Sequence, residues 1–129
     1  MELRVIAAVG IGAALGGIVR LLISQLVIAR AGASYGFYAT LCINVSGSFL
    51  IGLVVQTVQA RAMISPLWRP FLVTGVLGGY TTFSTFSLEA LSLATDGLAL
   101  TSLFYVAASV VLGIAAAFGG IATGRALAH

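Results

Sequence analysis

The chain contains no lysine, one cysteine, one histidine and two prolines, and six arginines with three acidic residues supply all the charge in 129 residues, 7% of the total. Soluble domains carry about 25% charged residues, so a water-facing globule is excluded. The lone histidine is the terminal residue, His129, and Glu2, Glu89 and Asp96 are spread over the whole chain. No His/Cys/Asp group therefore exists to hold zinc, and no serine has a histidine base beside it. Hydrolytic and redox enzymes are excluded on that ground. Cys42 has no partner for an intrachain disulfide and reads as a small hydrophobe. The net charge of +3 comes from scattered arginines, whereas a nucleic-acid surface needs them gathered on one face.

What the chain has instead is apolar length. Sixty per cent of its residues are hydrophobic, mean hydropathy is +1.17, and the segments 31–60, 70–88 and 97–124 carry no charge. A fourth apolar run, 5–29, is interrupted only by Arg20. A hydrocarbon core of about 30 Å takes about 20 apolar residues to cross. The reading is an all-α membrane protein, a single domain of four spans at about 5–29, 37–60, 67–95 and 98–125. Arg4, the apolar run and Ala29-Arg30-Ala31 share the outline of a signal peptide. The run carries Gly10, Gly12, Gly16 and Gly17 and continues past Arg20, so it is read as a retained span. Arg4, Arg61, Arg69 and Arg125 fall on one side of such a topology and Arg30 on the other, a 4 to 1 bias that puts both termini in the cytoplasm.

Several patterns suit helix packing within a membrane. Gly12 to Gly16 in the first span and Gly120 to Gly124 in the fourth are small-xxx-small motifs that let helix backbones approach closely. Tyr35, Phe37, Tyr38 and Trp68 suit the headgroup level. Thr40, Asn44 and Ser48 share one face of the second span, as Tyr105, Ser109 and Gly113 do in the fourth. In the third span, Gly78-Gly79-Tyr80-Thr81-Thr82-Phe83-Ser84-Thr85-Phe86-Ser87 places glycines and hydroxyls at mid-membrane depth. Each glycine weakens a helix by about 1 kcal/mol against alanine. A helix break near 78–81 is expected, with the freed backbone meeting protein or a water-filled cavity.

Neutral donors in apolar spans can replace the hydration of an anion without holding it as a full charge would. Phe83 and Phe86, at i and i+3, can add the positive edges of their rings. A hydroxyl taken alone reads instead as interhelical glue or as a bond to its own helix backbone. Arg20, well inside the first span, reads as a vestibule charge or a snorkelling ion-pair partner. Glu89 is the sole carboxylate that a proton-coupled exporter could use. A non-transporting scaffold packed through its glycine faces is a third class.

The run from Gly78 to Ser87, followed by Glu89, resembles the GGxTTFSTFS signature of the Fluc (CrcB) fluoride channels. Gly12 to Arg20 and Asn44-Val45-Ser46-Gly47 are similar to that family too, and the resemblance covers essentially the whole chain. It implies a dual-topology antiparallel homodimer in the cell inner membrane. It also implies two pores passing F⁻ passively outward, so protecting against fluoride toxicity, and a structural Na⁺ at the dimer centre. Phe83, Phe86 and Asn44 would line the pore, with hydroxyls from Ser84, Thr85, Tyr105 and Ser109. Arg20 and Glu89 would serve the vestibule or gating, and backbone carbonyls of Gly78 and Thr81 would hold Na⁺. Gly113 departs from relatives that carry a hydroxyl there.

Overall fold

The computed structural model describes residues 2–60 and 66–127; Arg61 and His129, named above, lie outside them. Among the described residues every regular element is helical. Helix α1 (Leu3–Ala31) leads through a single 3-10 turn, Ala33–Tyr35, into α2 (Gly36–Ala60). Helix α3 begins as a π-wound stretch, Pro70–Leu77, and ends in the α-helical turn Gly78–Tyr80. Two extended residues, Thr81 (φ −80°, ψ 158°) and Thr82 (φ −150°, ψ 122°), precede α4 (Phe83–Thr95). Helix α5 is Ala99–Leu127. By length and apolar composition α1, the segment containing α2, and α5 can each cross a membrane.

Two parallel helix pairs carry most of the packing. Gly12 and Gly16 on α1 lie against backbone of Phe71, Gly75, Val76 and Tyr80, while Gly75 and Gly79 lie against backbone of Val9, Gly12 and Ala13. Residue numbers rise together on both helices, so α1 and α3 run parallel. Glycine is required there because a Cβ on Gly16 would collide with the Val76 carbonyl oxygen. The same device joins α2 to α5. Gly52 meets Ala117 and Ile121, Gly120 meets Phe49 and Leu53, and Gly124 meets Gln56.

The direction of the chain reverses at every connection but that between α3 and α4, which run on together. Helices α4 and α5 form an antiparallel hairpin closed at Gly97, whose φ of +83° glycine adopts without strain. There the Leu98 amide donates to the Leu93 carbonyl (2.9 Å) and the Gly97 amide to Ala94 (3.4 Å), the double cap that ends many helices. Contacts from Thr40 to Glu89 and from Asn44 to Thr82 place α2 antiparallel to the third segment. The start of α1, the start of α3 and the end of α5 consequently share one end of the molecule. Arg4, Arg69 and Arg125 stand at that end, and Arg30 at the other.

Candidate functional site

The extended pair Thr81-Thr82 exists because three of its four backbone polar groups, all but the Thr81 carbonyl, have partners. In a membrane an unpaired N–H or C=O costs several kcal/mol. Asn44 reaches across from α2 and pairs with both groups of Thr82. Its Oδ1 accepts the Thr82 amide (2.9 Å) and its Nδ2 donates to the Thr82 carbonyl (3.0 Å). The Thr82 hydroxyl then starts α4 by accepting the Thr85 amide (3.3 Å), an N-cap in the usual sense. On the other flank the Thr81 amide and hydroxyl both donate to the Leu77 carbonyl, at 3.0 and 2.9 Å.

These bonds divert two donors. A continuing helix would carry the Thr82 amide to the Gly78 carbonyl and the Thr85 amide to the Thr81 carbonyl. The first goes to Asn44 and the second to the Thr82 side chain. The carbonyl oxygens of Gly78 and Thr81 are left without their helical donors.

Beside this segment lies a cavity of about 360 Å³, whose walls include Asn44, Gly78, Thr81, Phe83, Phe86 and Ser109. Among the described residues no charged side chain lines it. The Ser109 hydroxyl is buried, with no hydrogen-bond partner among the described residues. Of the two Asn44 amide N–H groups, one is committed to the Thr82 carbonyl and one is not. The rings of Phe83 and Phe86 stand 5.6 Å apart, and Phe86 continues to Tyr105 at 5.3 Å.

Tyr105 and Glu89 form a second cluster behind Phe86. Tyr105 donates to Glu89 Oε2 (2.7 Å) and Thr40 to Oε1 (2.9 Å), so each carboxylate oxygen holds a hydroxyl. Tyr105 and Thr40 are buried. Ser84 and Thr85 gather on the Thr82 hydroxyl, at 3.4 and 3.1 Å, rather than on the cavity wall. Arg20 sits half-buried on α1 with its Nε unpaired, and it is not a lining residue of the cavity.

Three residues have roles that spacing alone did not assign. Thr82 is both clamped and capping, Thr40 holds Glu89, and buried Ser102 donates to the Ala90 carbonyl (2.6 Å) to pin α4 on α5. Thr40 is four residues from Asn44 and Ser102 three from Tyr105, so a shared helical face was the available signal.

Fold and site together define a small all-helical, multi-pass membrane protein with an uncharged, hydroxyl- and phenyl-walled cavity beside an interrupted helix. The chain belongs to the family described as CrcB-like protein, Camphor Resistance (CrcB), whose model matches residues 7–121. It is 46% identical over 122 residues to the fluoride-specific ion channel FluC of Rhizobium meliloti, covering 95% of this chain and 97% of that protein. It is 49% identical to the protein of that name from Agrobacterium fabrum, with the same coverage. A Roseiflexus protein, also named fluoride-specific ion channel FluC, is 43% identical over 95% of this chain and 98% of its own.

Proposed function

We propose that the chain is a fluoride-specific channel of the bacterial inner membrane, not an enzyme, which lets F⁻ leave the cell passively. The family and the names of its relatives support the ion. The observation that carries the mechanism is the cavity with an unpartnered Ser109 hydroxyl, an amide N–H of Asn44 and the Phe83–Phe86 pair on its walls. A small anion entering it exchanges hydration for neutral donors and ring edges. No fixed positive charge traps it, which conduction requires. Glu89 stays out of the ion's way because Thr40 and Tyr105 occupy both its oxygens. Arg20 raises the anion concentration at the mouth of the route. Ser84 and Thr85 act through Thr82, and Tyr105 through Phe86 and Glu89.

The working unit in this reading is an antiparallel homodimer of four-span chains, the third span being the broken helix made of α3, Thr81-Thr82 and α4. Phe83 is 79% exposed on the single chain, and a second copy closes that side of the cavity. The Gly78 and Thr81 carbonyls suit a structural Na⁺, because both have lost their helical donors and a hard cation prefers oxygen ligands. One chain offers two such oxygens and a dimer four. Bound there, Na⁺ would hold the two breaks against each other.

The test is F⁻ release from KF-loaded liposomes with valinomycin carrying K⁺, beside KCl-loaded vesicles. Rapid F⁻ release without Cl⁻ release supports the channel, and replacing Phe86 by Ile should slow it at least about tenfold. Release only under a pH gradient, abolished in Glu89→Gln, would replace it with a proton-coupled exporter. No release from verified dimers would leave a packing scaffold.

A further inference from the structure

We infer that the end of the molecule formed by the starts of α1 and α3 binds one anionic glycerophospholipid. Its phosphate would rest on Arg4 and Arg69, and an acyl chain would lie in the groove against Trp68 and Phe71. The inference needs only a membrane-embedded chain and is independent of the fluoride reading.

A cavity of about 290 Å³ opens here, with Ala8, Leu67, Trp68 and Phe71 on its walls. Its described walls are apolar, and at the edge of a bilayer an acyl chain fills such a groove at lower free energy than water does. Trp68 is half-exposed and meets Phe71 edge-on at 5.8 Å. Its indole N–H makes no hydrogen bond among the described residues, while a buried or interfacial tryptophan normally finds an acceptor. The ester carbonyls of a glycerophospholipid sit at that depth.

The charge around the groove selects the headgroup. Arg4 lies one helical turn before Ala8 on the same face of α1, and Arg69 follows Trp68 directly. Neither guanidinium has an ion pair or hydrogen bond among the described residues, and Glu2 is the only described acid at this end. An apolar slot, an unmet N–H donor and two unpaired cations in that order match the tail, esters and phosphate of one lipid. A zwitterionic lipid would bring its own cation against the arginines.

Trp68 is the only tryptophan in the chain, so its fluorescence reports on this groove alone. The reconstituted full-length protein would be placed in phosphatidylcholine vesicles containing one fifth phosphatidylglycerol, with bromine on the acyl chains of one lipid or the other. Both leaflets then have the same composition, so insertion direction does not matter. Each arginine near the surface is worth about a fivefold preference for anionic lipid. Brominated phosphatidylglycerol should therefore quench Trp68 as if enriched about five- to twentyfold over its bulk fraction. Arg4→Gln/Arg69→Gln should bring the enrichment near one, and Arg30→Gln, at the opposite end, should leave it intact. Equal quenching by the two lipids, no quenching by either, or enrichment that survives the double substitution would each overturn the inference.

Discussion

Replacing Asn44 by leucine tests whether the Thr81-Thr82 segment depends on one side chain. The amide makes two hydrogen bonds to Thr82, at 2.9 and 3.0 Å. Leucine is close in volume but pairs with neither group. Both Thr82 groups are half-buried, so leaving the donor and the acceptor unmet falls at the low end of the range of about 1–3 kcal/mol for a buried group, and the extended form loses about 2 kcal/mol. The chain has a cheaper arrangement available. If Thr82 turns helical, its amide can return to Gly78, the helix runs on, and the two freed carbonyls disappear. At about 1.4 kcal/mol per factor of ten, that loss shifts the ratio of extended to helical segment about thirtyfold toward the helix.

Two assays read this outcome. F⁻ efflux should fall at least about thirtyfold in Asn44→Leu. Hydrogen exchange should show changed protection at residues 81–83, with α2 and α5 unaffected. Asn44→Asp separates the clamp from the pore, because a carboxylate still accepts the Thr82 amide but cannot donate to its carbonyl. It should keep more of the local structure than leucine while conducting poorly, since a negative charge then lines the cavity. Unchanged efflux and unchanged exchange in Asn44→Leu would refute the reasoning, since the segment would then be held by something other than this pair.

Further outcomes follow from the packing. Gly16→Val should leave little folded protein on size-exclusion chromatography, because its Cβ would meet Val76 backbone, whereas Gly17→Ala, with open space in the chain, should shift thermal stability by less than about 1 kcal/mol. Gly78 has room for a Cβ, the nearest atom being Val73 O at 3.7 Å. A Gly78→Val chain that folds but elutes as a monomer would therefore report the partner copy at this position, and one that remained an active dimer would contradict it. Thr81→Val loses only a hydroxyl already bonded to Leu77 and should retain more flux than Gly78→Val. Tyr105→Phe strips one hydroxyl from Glu89, and efflux that gains a steep pH dependence would show that this bond keeps the carboxylate out of the route.

The scarcity of charge and the apolar runs determine by themselves that the chain is helical and lives in a membrane, because a continuous apolar run of about 20 residues spans a bilayer with its backbone satisfied internally as a helix, whereas a barrel strand is about half as long and alternates. The glycine motifs at 12–16 and 120–124 equally mark where helices touch, since a missing side chain is legible without coordinates. Which helix meets which is not legible. Gly12 could serve any neighbour, and only the fold sets it against α3 and sets Gly120 against α2. The function of polar residues divides in the same way. Spacing puts Thr40 and Asn44 on one face of α2, but Thr40 turns to Glu89 and Asn44 to the Thr82 backbone, 49 and 38 residues away. A hydrogen bond has a partner, and sequence names only one of the two. The sequence determined the membrane, the helices and the supply of donors. Tertiary structure decided which donors are already committed and which, like the Ser109 hydroxyl, have no partner among the described residues.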